Sequence, residues 1–463
     1  MKKKIEFNTL FMIFAVVTLV AMATWIIPGG EYQRELKEGR TLVVPGSFKY
    51  VDSNPRGLGA LLMAPLTGFR EAALIIGFLF IIGGTFSIIQ KTGAIMVSVQ
   101  RMAYSFSKKP HLQKFFIPIT ITIFSIAGSV FGSSEESLPF ILIFIPLAFS
   151  MGYDSIVGTA IPFLGMAAGF AGSTLNPFTV GIAQSIAELP LYSGLEYRIF
   201  IWFLSTALMI TFIMIYAAKV KANPKISPMY EFDEKRRHEM HLDNSKSGEF
   251  LLHHKLVLLL FAASMVILMV GILGYKWYIT ELGALFLGLG IVTGIVGKLK
   301  LGQMTDAFKD GAKDMVGVAL IIGCARAILV IANEGKIMDT MLFSVSGLIQ
   351  GLHPVLAAQA MFVAQGVINF FVHSASGQAM LTMPVMSPLA DVLGISRQIA
   401  VLAFQFGEGW INPILPTSGV TMGVLGLAQI PWPKWFKWML PIQIIFFILA
   451  LLLLIPPFIF NYH

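Results

Sequence analysis

The chain has 463 residues, 56% of them hydrophobic and only 13% charged, with a formal net charge of +8. Many apolar runs approach or exceed the roughly 18–20 residues that cross a hydrocarbon core, which excludes an ordinary soluble domain and defines an all-α polytopic membrane protein. The basic residues lie in loops between apolar segments, so the charge does not mark nucleic-acid binding, and the lone Cys324 excludes an intrachain disulfide.

The N-terminus imitates a signal peptide, with Lys2–Lys4, an apolar stretch and a small-x-small site at Ala21-Met22-Ala23. The run Leu10–Ile27 is too long for a signal core and further spans follow, so an uncleaved first helix is expected. A polar segment, Gly29–Arg56, leads to a second span near Glu71–Gln90. Lys91–Lys114 is basic and amphipathic, which suits a helix lying at the interface. Two apolar runs, Phe115–Val130 and Leu138–Phe149, then flank a tip that carries Gly132, Ser133, Ser134, Glu135, Glu136 and Ser137. The pattern predicts a re-entrant helical hairpin over about 115–152, because ionisable groups at membrane depth need protein or a watery cavity around them. The next span, from about Ser155, runs into Ser173-Thr174-Leu175-Asn176-Pro177, so 155–188 is expected to be a broken helix. Tyr197–Ala218 ends a first half, 1–218.

Residues 219–254 are hydrophilic with mixed charges and read as a solvated cytoplasmic connector. His238-Glu239-Met240-His241 within it lacks the spacing of a zinc-protease helix, and no metal or other cofactor is expected. The second half, 255–463, begins with spans near Leu256–Gly274 and Leu282–Val296. Asp314–Asn333 follows and carries Arg326 near its middle; Lys336–Gly351 is a second amphipathic piece. A second hairpin is expected over about 354–393, with His373, Ser374, Ser376 and Gly377 at its tip. A second broken helix, about 397–428, is interrupted at Gly407–Pro413, and Met439–Phe458 closes the chain.

The halves repeat. Thr92-Gly93-Ala94-Ile95-Met96 matches Glu334-Gly335-Lys336-Ile337-Met338 at an offset of 242, and Ser134/Ser376, Glu136/Gln378, Pro146/Pro388 and Gly152/Gly394 keep that offset. Asn176-Pro177 meets Asn412-Pro413 at 236. With the N-terminus inside, 22 of the 33 lysines and arginines fall on the cytoplasmic side, 10 outside and Arg326 in the membrane. In that topology the hairpins enter from opposite sides, so the halves are expected to be inverted repeats, the architecture of secondary transporters.

Tips and breaks supply the binding candidates: Ser133, Ser134, Glu135, Glu136 and Ser137; Ser173, Thr174 and Asn176; Ser374, Ser376 and Gly377; Glu408, Trp410, Asn412 and Thr417. Half-helix N-termini suit a carboxylate, while side-chain oxygens hold cations or donors. Trp410 could stack on a guanidinium or simply pack among aromatics. Arg326 could neutralise a glutamate or meet a substrate carboxylate, and His373 could carry a proton.

The paired hairpins and paired Asn-Pro breaks resemble the ion transporter superfamily. Gly132–Ser137, Ser173–Thr179 and Glu408–Pro413 resemble the C4-dicarboxylate anaerobic carrier family, nearest its YfcC-like branch, which is named for basic-amino-acid antiport. The resemblance spans nearly the whole chain and implies a multi-pass transporter of the bacterial inner membrane with a cytoplasmic N-terminus. Its partners would be a small-molecule substrate and membrane lipid, with a homodimer left open. The tips here read Ser-Ser-Glu-Glu-Ser and Ser-Ala-Ser-Gly, not the Ser-Asn-Thr of the sodium-coupled dicarboxylate relatives. Glu135, Glu136 and Glu408 against a single Arg326 favour a cationic amino acid over a dicarboxylate, because one charge pair at 4 Å is worth about 4 kcal/mol at an effective dielectric of 20; that the exchange is arginine for ornithine is what the resemblance to the YfcC-like branch implies. A proton- or sodium-coupled carrier of dicarboxylates or small peptides is the alternative. Ser374–Gly377 resembles the Gly-x-Ser-Gly of rhomboid proteases only loosely, so an enzyme is not expected.

Overall fold

The computed structural model describes residues 9–37, 40–98, 101, 110–132, 134–239, 250–275, 277, 279–460 and 462. Almost every described element is a helix, the form in which a lipid-immersed backbone satisfies its own hydrogen bonds. Among the described residues, seven helical stretches are long and apolar enough to cross a bilayer, and the protein is a multi-pass membrane protein.

After α1 (Thr9–Ile26), the polar segment is not featureless. It folds as two antiparallel ribbons, β1 (Gly30–Glu31) with β4 (Lys49–Tyr50) and β2 (Arg34–Lys37) with β3 (Arg40–Val43). These dock far along the chain: Gly30 N–H donates to Lys336 O at 3.0 Å, and Asp339 accepts from Tyr32 N and Arg34 Nη2, both at 2.9 Å. α2 (Leu58–Glu71) and α3 (Ala73–Lys91) form one rod jointed at Ala72, whose N–H still reaches Gly68 O at 2.9 Å. The expected span near Glu71–Gln90 is the second part of this rod. Of the interfacial helix expected over 91–114, residues 99–100 and 102–109 lie outside the described residues.

The first hairpin is α4 (Pro110–Phe131) and α5 (Ser137–Ser150); the first broken helix is α6 (Ser155–Ala171), a π-helical turn (Pro177–Gly181) and α7 (Ile182–Ile186). Glycines bring α4 and α6 into backbone contact, since a Cβ on Gly128 would lie 2.1 Å from Met166 O and one on Gly169 1.8 Å from Ser125 O. α8 (Leu195–Ala222) leads to the connector. The expectation of a purely solvated linker is corrected here. Its helix α9 (Tyr230–Glu239) is docked: Asp233 is buried and accepts from Ser155 N at 2.8 Å, while Arg236 Nη1 donates to Ala428 O at 2.9 Å. Arg237 donates to Tyr153 O, and both arginines lie over the Phe149 ring. Arginines near the last carbonyls of a helix complement its dipole, which explains the seat.

The second half supplies α10 (Leu252–Tyr275), α11 (Ile279–Val296), α12 (Leu301–Asp314), α13 (Val316–Glu334) and α14 (Met338–Ile349). α12 and α13 match α2 and α3 in length, 14 and 19 residues, and begin 243 residues after them. Next come the second hairpin, α15 (Pro354–Asn369) with α16 (Ala375–Val392), and the second broken helix, α17 (Arg397–Gly409), a 3₁₀ turn (Asn412–Ile414) and α18 (Gly419–Ala428). α19 (Trp432–Leu453) ends the bundle. The hairpins and broken helices interleave across the halves, α5 against α18 and α16 against α7. α1, α2, α3, α11, α12 and α13 form a second group, which meets the first chiefly through α13 on α18.

Candidate functional site

At the first tip Gly132 turns the chain at φ +71°, and a Cβ there would lie 2.4 Å from Asn176 Oδ1. Only glycine fits both the left-handed backbone and that approach. Glu136 turns back to accept Ser134 N–H at 2.9 Å, and Ser137 Oγ donates to Ser134 O at 2.6 Å. The end of α4 is tied to the first break, where Thr174 N donates to Ser129 O at 3.0 Å and their hydroxyls meet at 3.0 Å. Asn176 is extended before proline (φ −60°, ψ 112°) and accepts from Phe178 N at 2.9 Å and Thr179 N at 3.3 Å. Its amide donates to Ser173 Oγ at 3.1 Å, and Gln405 from the other half reaches Phe170 O at 2.7 Å. The two breaks touch: a Cβ on Gly409 would lie 2.6 Å from Ala171 Cα.

The second tip and break are joined by amides. Asn369 Nδ2 donates to Glu408 O at 3.0 Å and Asn412 Oδ1 at 3.1 Å, and Asn412 Nδ2 donates to Glu408 Oε1 at 2.8 Å. Glu408 is 1% exposed, and its Oε2 has no hydrogen-bond partner among the described residues. Ser374 caps α16 by accepting Gly377 N–H at 3.2 Å, Ser418 caps α18 by accepting Thr421 N–H at 3.3 Å, and His373 is hydrogen-bonded to Thr417.

These elements enclose a cavity of about 560 Å³. Ser134, Glu135, Glu136, Ser374, Ser376, Glu408, Asn412 and Thr417 line it, as do His373 and Arg326. The N-terminal turns of α16 and α18 open onto it, a setting that favours an anion. Ser137, Ser173, Thr174 and Asn176 are buried behind its wall, and Gly377 does not line it. Trp410 stacks between Phe406 and Phe446, with centroids 4.5 and 5.3 Å away, so it packs among aromatics away from the cavity. Ser133 lies outside the described residues.

Glu71, Trp277, Ser418 and Thr421 also line the cavity and were not anticipated. Ser418 was findable as a cap residue opening the apolar run 419–428. Glu71 carried a weaker signal, an acid set between two apolar runs; Trp277 carried none. Arg326 pairs with Glu71, Nε to Oε2 at 3.0 Å, and with none of Glu135, Glu136 or Glu408.

Hairpin tips and helix breaks gathered around one interior cavity give this multi-pass protein the organisation of a membrane carrier. The model of the DcuC family, C4-dicarboxylate anaerobic carriers, matches residues 7–458. An Escherichia coli (strain K12) protein named "Putative basic amino acid antiporter YfcC" is 34% identical over 98% of this chain and 97% of its own. An uncharacterized Haemophilus influenzae protein is 29% identical over 95% of this chain and 94% of its own. Among solved structures, the Alcanivorax borkumensis YdaH transporter aligns over 98% of this chain and 99% of its own, at 17% identity and a TM-score of 0.42. Neisseria gonorrhoeae MtrF aligns over 97% and 95%, at 16% identity and the same TM-score. The chain belongs to the DcuC family and is a transporter of the DcuC/YfcC type.

Proposed function

We infer that the protein is a secondary active antiporter that exchanges basic amino acids of the arginine and ornithine type by alternating access, in a bacterial inner membrane. One observation carries this reading. Four carboxylates (Glu71, Glu135, Glu136 and Glu408) line the cavity, against Arg326 as the one lysine or arginine among its described lining residues. A ligand with a cationic tail and an α-carboxylate matches that balance, whereas a dicarboxylate meets like charge on most of the wall. The name of the Escherichia coli relative supports the same substrate class. The family's own description favours a second reading, a C4-dicarboxylate carrier, which the N-terminal turns of α16 and α18 would serve.

Counterflow of labelled arginine and succinate into liposomes holding the purified protein separates the two. Arginine exchange without succinate exchange is expected. Glu408→Gln keeps the oxygen that Asn412 bonds, yet it should slow arginine exchange by roughly 30-fold or more, the usual consequence of removing one charge from a buried pair. Citrulline, neutral and nearly isosteric, should be far less affected. Succinate exchange by wild type with no arginine exchange would remove the basic-amino-acid reading.

A further inference from the structure

We propose that Arg326 is the receptor for the substrate carboxylate and that Glu71 is its placeholder, the two forming a clasp that opens when substrate binds. This rests on the transporter reading above, but only on the carboxylate that both candidate substrates share.

Helix register builds the pair. Gly68 of α2 lies against the backbone of α13: a Cβ on it would be 2.3 Å from Gly323 O and 2.8 Å from Ala327 N. Glu71 and Arg326 each sit three residues beyond Gly68 and Gly323, on the same faces, so the glycine contact delivers them opposite one another. The guanidinium meets Glu71 through Nε alone. Its Nη1–Nη2 edge has no hydrogen-bond partner among the described residues. That edge is the planar fork that fits a carboxylate with two parallel bonds. Both side chains line the cavity and both are 36% exposed, so the pair is neither sealed from water nor locked by neighbours.

The repeat argues against a scaffold role. At the offset of 243, Gly68 corresponds to Gly311, Glu71 to Asp314 and Arg326 to Gly83. The second copy makes a similar glycine crossing, shifted by about one turn on the partner helix: a Cβ on Gly311 would lie 2.1 Å from Gly83 O, where the offset from Gly323 would place Phe80. There the carboxylate is kept, as the exposed Asp314, but no arginine stands opposite it: the offset places Gly83 at the position of Arg326, and the glycine contact places Phe86 there. The crossing therefore forms without an ion pair. The arginine is an addition to the copy that faces the cavity, and an addition there calls for a ligand.

A structural pair and a clasp predict different kinetics. If the pair only braces helices, Arg326→Gln and Glu71→Gln break the same bond and move KM and folded yield in the same direction. In a clasp, Arg326→Gln removes the receptor and should raise KM about tenfold or more. Glu71→Gln removes a competitor and should lower KM by up to about fivefold, the usual limit for a part-exposed pair. Arg326→Lys, with a cation but no fork, should recover only part of the loss. The variants are measured by counterflow with whichever of arginine or succinate wild type exchanges, so a wrong substrate class does not hide the result. Where arginine is exchanged, agmatine, which lacks the carboxylate, should be a poor substrate for wild type and indifferent to Arg326→Gln. Opposite KM shifts support the clasp. Shifts of the same sign, or unchanged KM in both variants, overturn it.

Discussion

At the scale of single residues, the first tip turns on Gly132, whose φ of +71° and contact with Asn176 impose two separate demands. Gly152 shares the left-handed backbone, at φ +82°, but a Cβ there meets nothing within 4 Å. The pair isolates the two effects. Gly152→Ala should cost only the backbone term, about 1 kcal/mol. Gly132→Ala should cost roughly 1–3 kcal/mol more, because the tip must withdraw from the break or push it aside. Thermal melts in detergent compare them, and equal losses would show that the tip does not need its seat on Asn176.

At the scale of elements, the two Asn-Pro breaks look alike in sequence and are built differently. Asn176 is fully buried, with Oδ1 and Nδ2 spent on Phe178, Thr179 and Ser173, so it holds the break together from behind the wall. Asn412 lines the cavity and links Glu408 to Asn369. Asn176→Leu should therefore act through folding, with a loss of about 1–3 kcal/mol from its caps and near-normal exchange per folded molecule. Asn412→Leu should reduce exchange per folded molecule at least about tenfold, since it frees a buried carboxylate from its donor. Folded yield by size exclusion and counterflow on matched amounts tell the cases apart.

At the scale of the whole molecule, polar contacts gather at several places, two of which bear on its topology. The β ribbons meet Glu334–Thr340, where Arg56 pairs with Glu334 at 2.5 Å and Lys336 with Glu31 at 3.0 Å. The connector meets residues 149–155 and 428–434, with Lys434 Nζ donating to Pro228 O at 2.7 Å. With the proposed inverted halves, Lys49→Cys should label only from outside and Lys225→Cys only from the cytoplasm; Cys324 is buried and contributes little background. Labelling of both from one side would remove the alternating-access reading. The connector's seat should also respond to pH. Burial pushes the Asp233 carboxyl up to about 6 from an ordinary 3.8, and nearby Asp154 adds to the rise against the lowering pull of Ser155 and Arg236. The neutral acid thus favours the folded state, a contribution present below about pH 4 and lost as pH rises through about 6. Asp233→Asn keeps an acceptor for Ser155 N–H without the charge. Its melting point should exceed that of wild type at pH 7.5, and the gap should close near pH 4.

Hydropathy by itself determined the helices, the hairpins and the breaks, because each reflects a local conflict between polar backbone or side chains and a lipid solvent. Glu135, Glu136, Glu408 and Asn412 were legible for the same reason: a charge or amide among apolar residues is costly wherever it lies, so it stands out along the chain. The tertiary structure decided which of these share a cavity. Ser134 and Glu408 reach it while Asn176 and Trp410, from equally marked motifs, turn into the protein, and that outcome depends on how four helical elements interleave. The partner of Arg326 was decided the same way. Glu71 lies 255 residues away in sequence, and only the contact of Gly68 with Gly323, a matter of backbone approach and not of composition, brings the two charges to 3.0 Å.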